Sequence, residues 1–173
     1  MIYIVTDRNT LLNPQRNIDR VIVKGIVYDG EYIYLMRYQK YNFLTLLGGE
    51  VENGEDYQDA FLREVIEESG ITCKIEAELP KILEIRNGMN FNQLSKVYVA
   101  KYLSKGRAHL ENKEQSDGVV LEKIHLSDIM SEIMNQECLT DQQKFLNSRD
   151  VTILSEFFAF YRAKQLGLYC FNK

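Results

Sequence analysis

No apolar stretch in this sequence approaches the ~20 residues that a membrane-spanning helix needs. Its start, MIYIVTDRNT, has no basic segment followed by a long apolar core, so no secretory leader is expected. Positive charge is also in short supply: 21 Lys and Arg face 25 Asp and Glu, a formal net charge of −4. Such a field repels nucleic acid and disfavours it as a partner. Cysteine is scarce. Cys73, Cys138 and Cys170 are odd in number, far apart and in no Cys-x-x-Cys spacing. That argues against a disulfide framework or a zinc site and for a reducing cytoplasm, with each thiol a small buried hydrophobe. His109 and His125 are isolated, and neither has the partner that a metal site would require.

What is present suits one globular domain. The chain has 173 residues, 45% hydrophobic and 27% charged, with no repeat, linker or low-complexity tract, so residues 1–173 read as a single domain with a core of ordinary size. Val21–Tyr28 and Tyr32–Arg37 are β-branched and aromatic runs around Asp29-Gly30, a hairpin signal. A turn-rich stretch, LLGGEVENGED, feeds a helical pattern from about Asp56 to Ser69. Asp56 is the expected N-cap, and Gly70 stands where a left-handed residue ends a helix. Strand-like runs follow: TCKIEAEL, KILEIR, Ser95–Leu103 and Val119–Leu126. Ser127 is the expected cap of a helix to about Asn135. A longer helix covers Asp150–Gln165 within a C-terminal helical segment of about 140–166. Its Phe157, Phe158, Phe160 and Tyr161 read as core packing, with a homodimer contact as the lesser reading. Strands first, one embedded helix, then helices at the end make an α/β fold with a mixed sheet.

The segment LREVIEESGI places Glu64, Glu67 and Glu68 within one and a half helical turns, with Arg63 beside them. Like charges at this spacing repel, at roughly 0.2–0.5 kcal/mol a pair. On a helical wheel the three glutamates share one sector, opposite Leu62, Val65 and Ile66. The apolar side is expected to bury on a sheet and the acidic side to face a cleft. Clustered carboxylates suit a hard divalent cation, Mg²⁺ or Mn²⁺. Gly48-Gly49 lets backbone carbonyls approach closely. Arg63 is expected off the acidic sector, reaching back to Glu55.

At these residues the sequence resembles the Nudix hydrolases. Gly49, Glu55, Arg63, Glu64, Glu67, Glu68 and Gly70 match the fixed positions of the Nudix box, residues 49–71. Seven such identities arise by chance at about 10⁻⁸ per starting point from average residue usage, far more specific than a lone glycine motif. The resemblance implies an α/β/α sandwich with a mixed sheet. It implies Glu67 and Glu68 as main metal ligands, Glu64 as ligand or general base, the Gly49 carbonyl as a further ligand, and Glu55 with Arg63 as the orienting pair. It implies Mg²⁺- or Mn²⁺-dependent hydrolysis of a nucleoside diphosphate linked to a group X, such as ADP-ribose, a nucleotide sugar or a nucleoside triphosphate. One departure is Leu47, where the family often has proline before the glycine pair.

The family's further acidic residue falls among Glu111, Glu114 and Asp117, with Glu114 preferred by its spacing from Gly118. Substrate contacts are expected from Arg37, Phe43 and Arg86, and among Tyr41, Phe91 and Tyr98, by position near strand ends and loops flanking the box. RNIDR, Arg16–Arg20, adds positive charge before the first core strand, and RNGMN, Arg86–Asn90, lacks the Pro or Tyr marker of some subfamilies. A nucleotide-sensing domain that does not cleave its ligand is the alternative. The full set of box glutamates and the absence of a basic recognition stripe weigh against it.

Overall fold

The computed structural model describes residues 1–6, 17–86 and 90–168. Cys170, Arg16 and residues 87–89 of RNGMN lie outside them. The runs either side of Asp29-Gly30 form strands β2 (Arg20–Asp29) and β3 (Tyr32–Tyr38). They join as a hairpin in which Asp29 pairs with Tyr32 and Gly30 takes φ +59°. Beyond Tyr34 the partner of β3 changes. Leu35–Tyr38 pair with β4 (Phe43–Leu46), while β7 (Val119–His125) runs antiparallel along Tyr32–Tyr38. After β4 the chain runs back beside β2, through bridges at Gly25–Leu47 and Ile22–Glu50. That path lays the glycine pair against the middle of β2.

The sheet is completed by β1 (Ile2–Thr6), β5 (Ile71–Arg86) and β6 (Phe91–Lys105). Its order is β1-β5-β6-β2-β3-β4, with β7 on β3, seven strands among the described residues. β1 is parallel to β5 and β6 parallel to β2; the other pairings are antiparallel. TCKIEAEL and KILEIR, read as two strands, are one. Register shifts between Thr72 and Cys73, Ile75 and Ala77, and Leu79 and Ile82 bend it. The last of these spans Pro80, which has no N–H for the ladder and sits where the pairing is already irregular.

Helix α1 (Tyr57–Ser69) covers one face. Its Phe61 and Val65 are buried in one cluster with Val23, Val27 and Tyr98 of the sheet. Helices α3 (Leu126–Asn135) and α4 (Asp141–Gln165) cover the other face, over Ile26, Leu35, Leu46 and Val97. The short α2 (Asn112–Ser116) precedes β7. The result is an α/β/α sandwich with a mixed sheet. Phe157 and Phe160 are buried in the α4 core, and Phe158 and Tyr161 pack against it. Among the described residues no helix is long and apolar enough to cross a membrane.

Two helix starts differ from expectation. The cap of α3 is His125, whose ring nitrogen accepts from Ser127 N, and not Ser127. α4 begins at Asp141, where Thr140 and Gln143 form a capping box. Its first turns, DQQKFLNSR, are too polar to show an apolar period. They are held instead by this cap and by two buried charged residues, Arg149 and Asp150.

Candidate active site

The turn that carries Gly48 and Gly49 is held from three sides. Gly48 N donates to Glu68 Oε2 at 2.8 Å, and Gly48 O accepts from Lys24 Nζ, which also donates to Leu46 O at 3.0 Å. Gly48 has φ +115°, and a Cβ there would stand 2.4 Å from Val23 O. Only glycine meets both demands. At Gly49 a Cβ would lie 2.4 Å from Glu64 Oε2, so the Glu64 carboxylate rests on bare backbone. The Gly49 carbonyl accepts from Val23 N at 3.0 Å, which leaves it one free lone pair.

Arg63 ties the loop to the helix. Its Nε and Nη2 donate to the two oxygens of Glu55 at 2.8 and 2.9 Å, and Nη2 also donates to Glu50 O at 2.9 Å. The guanidinium holds the Glu55 carboxyl far down, to about 2, helped by the Glu52 backbone N–H. Arg63 is not off the acidic sector, however. Its Nη1 donates to Glu64 at 2.9 Å and to Glu67 at 3.0 Å, and so relieves part of their repulsion.

The three glutamates are not equivalent, because the helix is rotated from its expected setting. Phe61 and Val65 are fully buried while Ile66 is 42% exposed. The burying stripe is therefore centred on the Phe61–Val65 pair, which brings Glu68 and Glu64 to its edge and leaves Glu67 outermost. Burial pushes the Glu64 carboxyl up despite Arg63. Glu68 is the most enclosed, and burial raises it to about 7, opposed by Lys24 and the Gly48 N–H.

Glu50, Val51, Glu52, Arg63, Glu64, Glu67, His109 and Glu111 line a cleft of about 540 Å³. His109 enters because its loop is docked on the end of α1: Gly106 N donates to Gly70 O, and His109 N to Glu67 O, both at 2.7 Å. A second cavity of about 540 Å³, between Arg20, Glu52, Tyr57 and Phe91, lies across the 50–55 loop. Of the three acids before β7, Glu111 lines the cleft. Glu114 turns back to accept from Glu111 N at 2.9 Å, although its charge still acts on Glu68. Asp117 is buried and bound by Lys40 Nζ at 2.7 Å.

Arg37, Phe43 and Arg86 are not brought to the cleft. Arg37 is on the α3 side of the sheet, bound to Glu122 at 2.9 Å and Glu132 at 3.3 Å. Phe43 is buried in β4, where all four residues are inside. Arg86 is buried, bonds Glu84 at 2.7 Å and lies over the Phe91 and Phe145 rings. In each case strand parity turned the side chain into or behind the sheet. Tyr98 is buried against Phe61, while Tyr41 reaches Asp117 at 3.4 Å. Arg20 stands 3.9 Å from Glu50.

Lys24 was missed as a site residue. Its sequence signal is a single lysine inside the apolar run VIVKGIVY. As placed, no three described His, Cys, Asp or Glu side chains converge as a ready-made metal group, because Arg63 and Lys24 already hold the carboxylates or their turn. The donor set nevertheless fits a hard cation: all oxygen, with Glu64 seated on the uncovered Gly49 backbone.

The family model for the NUDIX domain matches residues 19–130. Among solved structures, a NUDIX hydrolase from Nitrosomonas europaea superposes with a TM-score of 0.64 at 16% identity, covering 82% of this chain and 89% of that one. A protein described as an ADP compounds hydrolase gives 0.62 at 19%, covering 89% and 78%. A NUDIX-family hydrolase from Clostridium perfringens gives 0.53 at 16%, covering 79% and 96%. At these identities the likeness is one of fold. The search of curated proteins returned no match.

Proposed function

The chain belongs to the Nudix family, and we propose that its acidic cleft hydrolyses a phosphoanhydride bond in a nucleoside diphosphate linked to a group X, with Mg²⁺ or Mn²⁺. The observation that carries this reading is Arg63. One guanidinium joins Glu55 on the loop to Glu64 and Glu67 on the helix, so the box closes as a unit on one wall of the cleft. Glu67, Glu68 and Glu64 would hold the cation, with Glu111 from the opposite loop. A bound divalent ion neutralises substrate phosphate charge and polarises the phosphoryl oxygen.

The chain's own residues do the rest. The Gly48-Gly49 turn and Arg63 fix the carboxylates so that little reorganisation is needed when substrate arrives. Glu64, half-buried with a raised carboxyl, would take the proton from an attacking water. The water oxygen bonds to phosphorus as the bridging phosphorus–oxygen bond breaks. The products are a mononucleotide and phospho-X, or a mononucleotide and pyrophosphate from a triphosphate. Free thiols at Cys73 and Cys138 suit a reducing, cytoplasmic setting.

The fold likeness to an ADP compounds hydrolase makes ADP-linked compounds the first to test. The purified protein would be incubated with Mg²⁺ or Mn²⁺ and ADP-ribose, nucleotide sugars, dinucleoside polyphosphates, NADH and nucleoside triphosphates, with products read by mass. We expect a mononucleotide from at least one. If nothing turns over while a nucleotide still binds, the domain is a sensor.

A further inference from the structure

Lys24 lies in mid-strand on β2, 8% exposed, in a run otherwise buried and apolar. A lysine there is costly unless its charge is answered. Its Nζ donates to Leu46 O and Gly48 O. Glu68 accepts from the amide of the same Gly48. The two side chains thus grip one residue from opposite ends, Lys24 from the α4 side of the sheet and Glu68 from α1. The groups whose charges act on Lys24 are Glu68, Arg149, Asp150 and Glu64. Two of those three acids belong to the box.

We infer that Lys24 is the built-in counter-cation of the carboxylate cluster: it sets the Gly48 turn together with Glu68 and opposes an incoming divalent cation. The inference rests on the metal-dependent reading above. A neutral polar residue could satisfy the carbonyls as well as an ammonium does; it could not answer the charge of Glu68 and Glu64. A fixed positive charge holds the acidic turn in shape before the cation binds. The same charge then repels that cation, so it weakens metal affinity. Lys24 is a positioning residue in this scheme, acting through Gly48 and Glu68.

The test uses the full chain stripped of metal and four variants: Lys24→Met, Lys24→Arg, Glu68→Gln and Lys24→Met with Glu68→Gln. Mg²⁺ alone is titrated into each in a calorimeter, and urea unfolding is measured with chelator. Lys24→Met should bind Mg²⁺ about tenfold more tightly, from the loss of a nearby like charge, while Lys24→Arg stays close to the parent. A purely structural lysine predicts weaker binding in Lys24→Met, and equal or weaker binding there overturns the inference. In urea, Glu68→Gln should gain more stability in the Lys24→Met background than in the parent; additive effects also overturn it. Should Lys24→Met fail to fold, the double variant should fold, and its failure too would count against the pairing. A parent that binds no Mg²⁺ would sink the metal-dependent hydrolase, while the urea cycle still decides the pairing of Lys24 with Glu68.

Discussion

Arg63 makes five hydrogen bonds to four residues, Glu50, Glu55, Glu64 and Glu67. Arg63→Ala should therefore depress kcat and speed amide exchange over the 50–56 loop. A normal kcat with a raised KM would instead mark Arg63 as a substrate contact. The pH dependence follows from Glu55, which Arg63 holds down to about 2. A lowered carboxyl stabilises the fold above its ordinary range and loses that contribution as pH falls through about 2. The melting difference between parent and Arg63→Ala should accordingly shrink between about pH 4.5 and pH 2. Glu68 has the opposite sign. Burial raises it from 4.5 to about 7, so the folded state holds its proton longer and stability falls as pH rises between those values. Metal-free Glu68→Gln, which still accepts from Gly48 N, should gain on the order of 1 kcal/mol at pH 8 and nothing below pH 4.5. Melts in chelator at both pH values check this, and an equal gain at both would show that packing or hydrogen bonding, and not the carboxylate charge, is the cause.

At the scale of elements, α4 reaches the glycine turn through β4. Asp150 accepts from Thr45 Oγ1 at 2.7 Å and Leu46 N at 3.1 Å on β4, and from Arg149 Nε at 2.8 Å. β4 leads directly into the glycine turn, and its edge away from β3 is held by this buried carboxylate at Leu46 and by Gln136 at Leu44. Asp150→Ala leaves the Arg149 charge, 1% exposed, without its nearest partner. It should destabilise the fold by about 3–5 kcal/mol, read from urea unfolding. A loss under 1 kcal/mol would mean that Glu84, 4.0 Å from Arg149, suffices to answer that charge. Leu47, where the family often has proline, fits the same picture: it is buried, and its carbonyl accepts from Gly25 N at 3.1 Å. Sheet pairing can thus stiffen the turn that a proline ring would stiffen elsewhere.

For the whole molecule, the site joins all three layers. α1 supplies the carboxylates, β2 supplies Lys24, and α4 braces β4 from behind. Cation binding should therefore be felt as global stability. At a hundred times its dissociation constant, Mg²⁺ should stabilise the native state by ~2.7 kcal/mol, and excess chelator should abolish hydrolysis. Hydrolysis undiminished by chelator would defeat the metal-dependent reading.

The sequence by itself determined the family, the loop–helix of the box, the caps at Asp56 and Gly70, and the pairing of Arg63 with Glu55. These depend on residues within about two dozen positions of one another, where helical period and turn chemistry act directly. Tertiary structure alone decided which side of α1 is buried, since Phe61 and Ile66 compete for the sheet and only packing selects between them. It also decided the faces of Arg37, Phe43 and Arg86, because a strand's parity has no meaning until its sheet has two covered sides. Lys24 lies 24 residues from Gly48 and 44 from Glu68. No local pattern links the three; the return of the chain beside β2 does, and with it came a positive charge for Glu68, the glutamate that Arg63 does not bond.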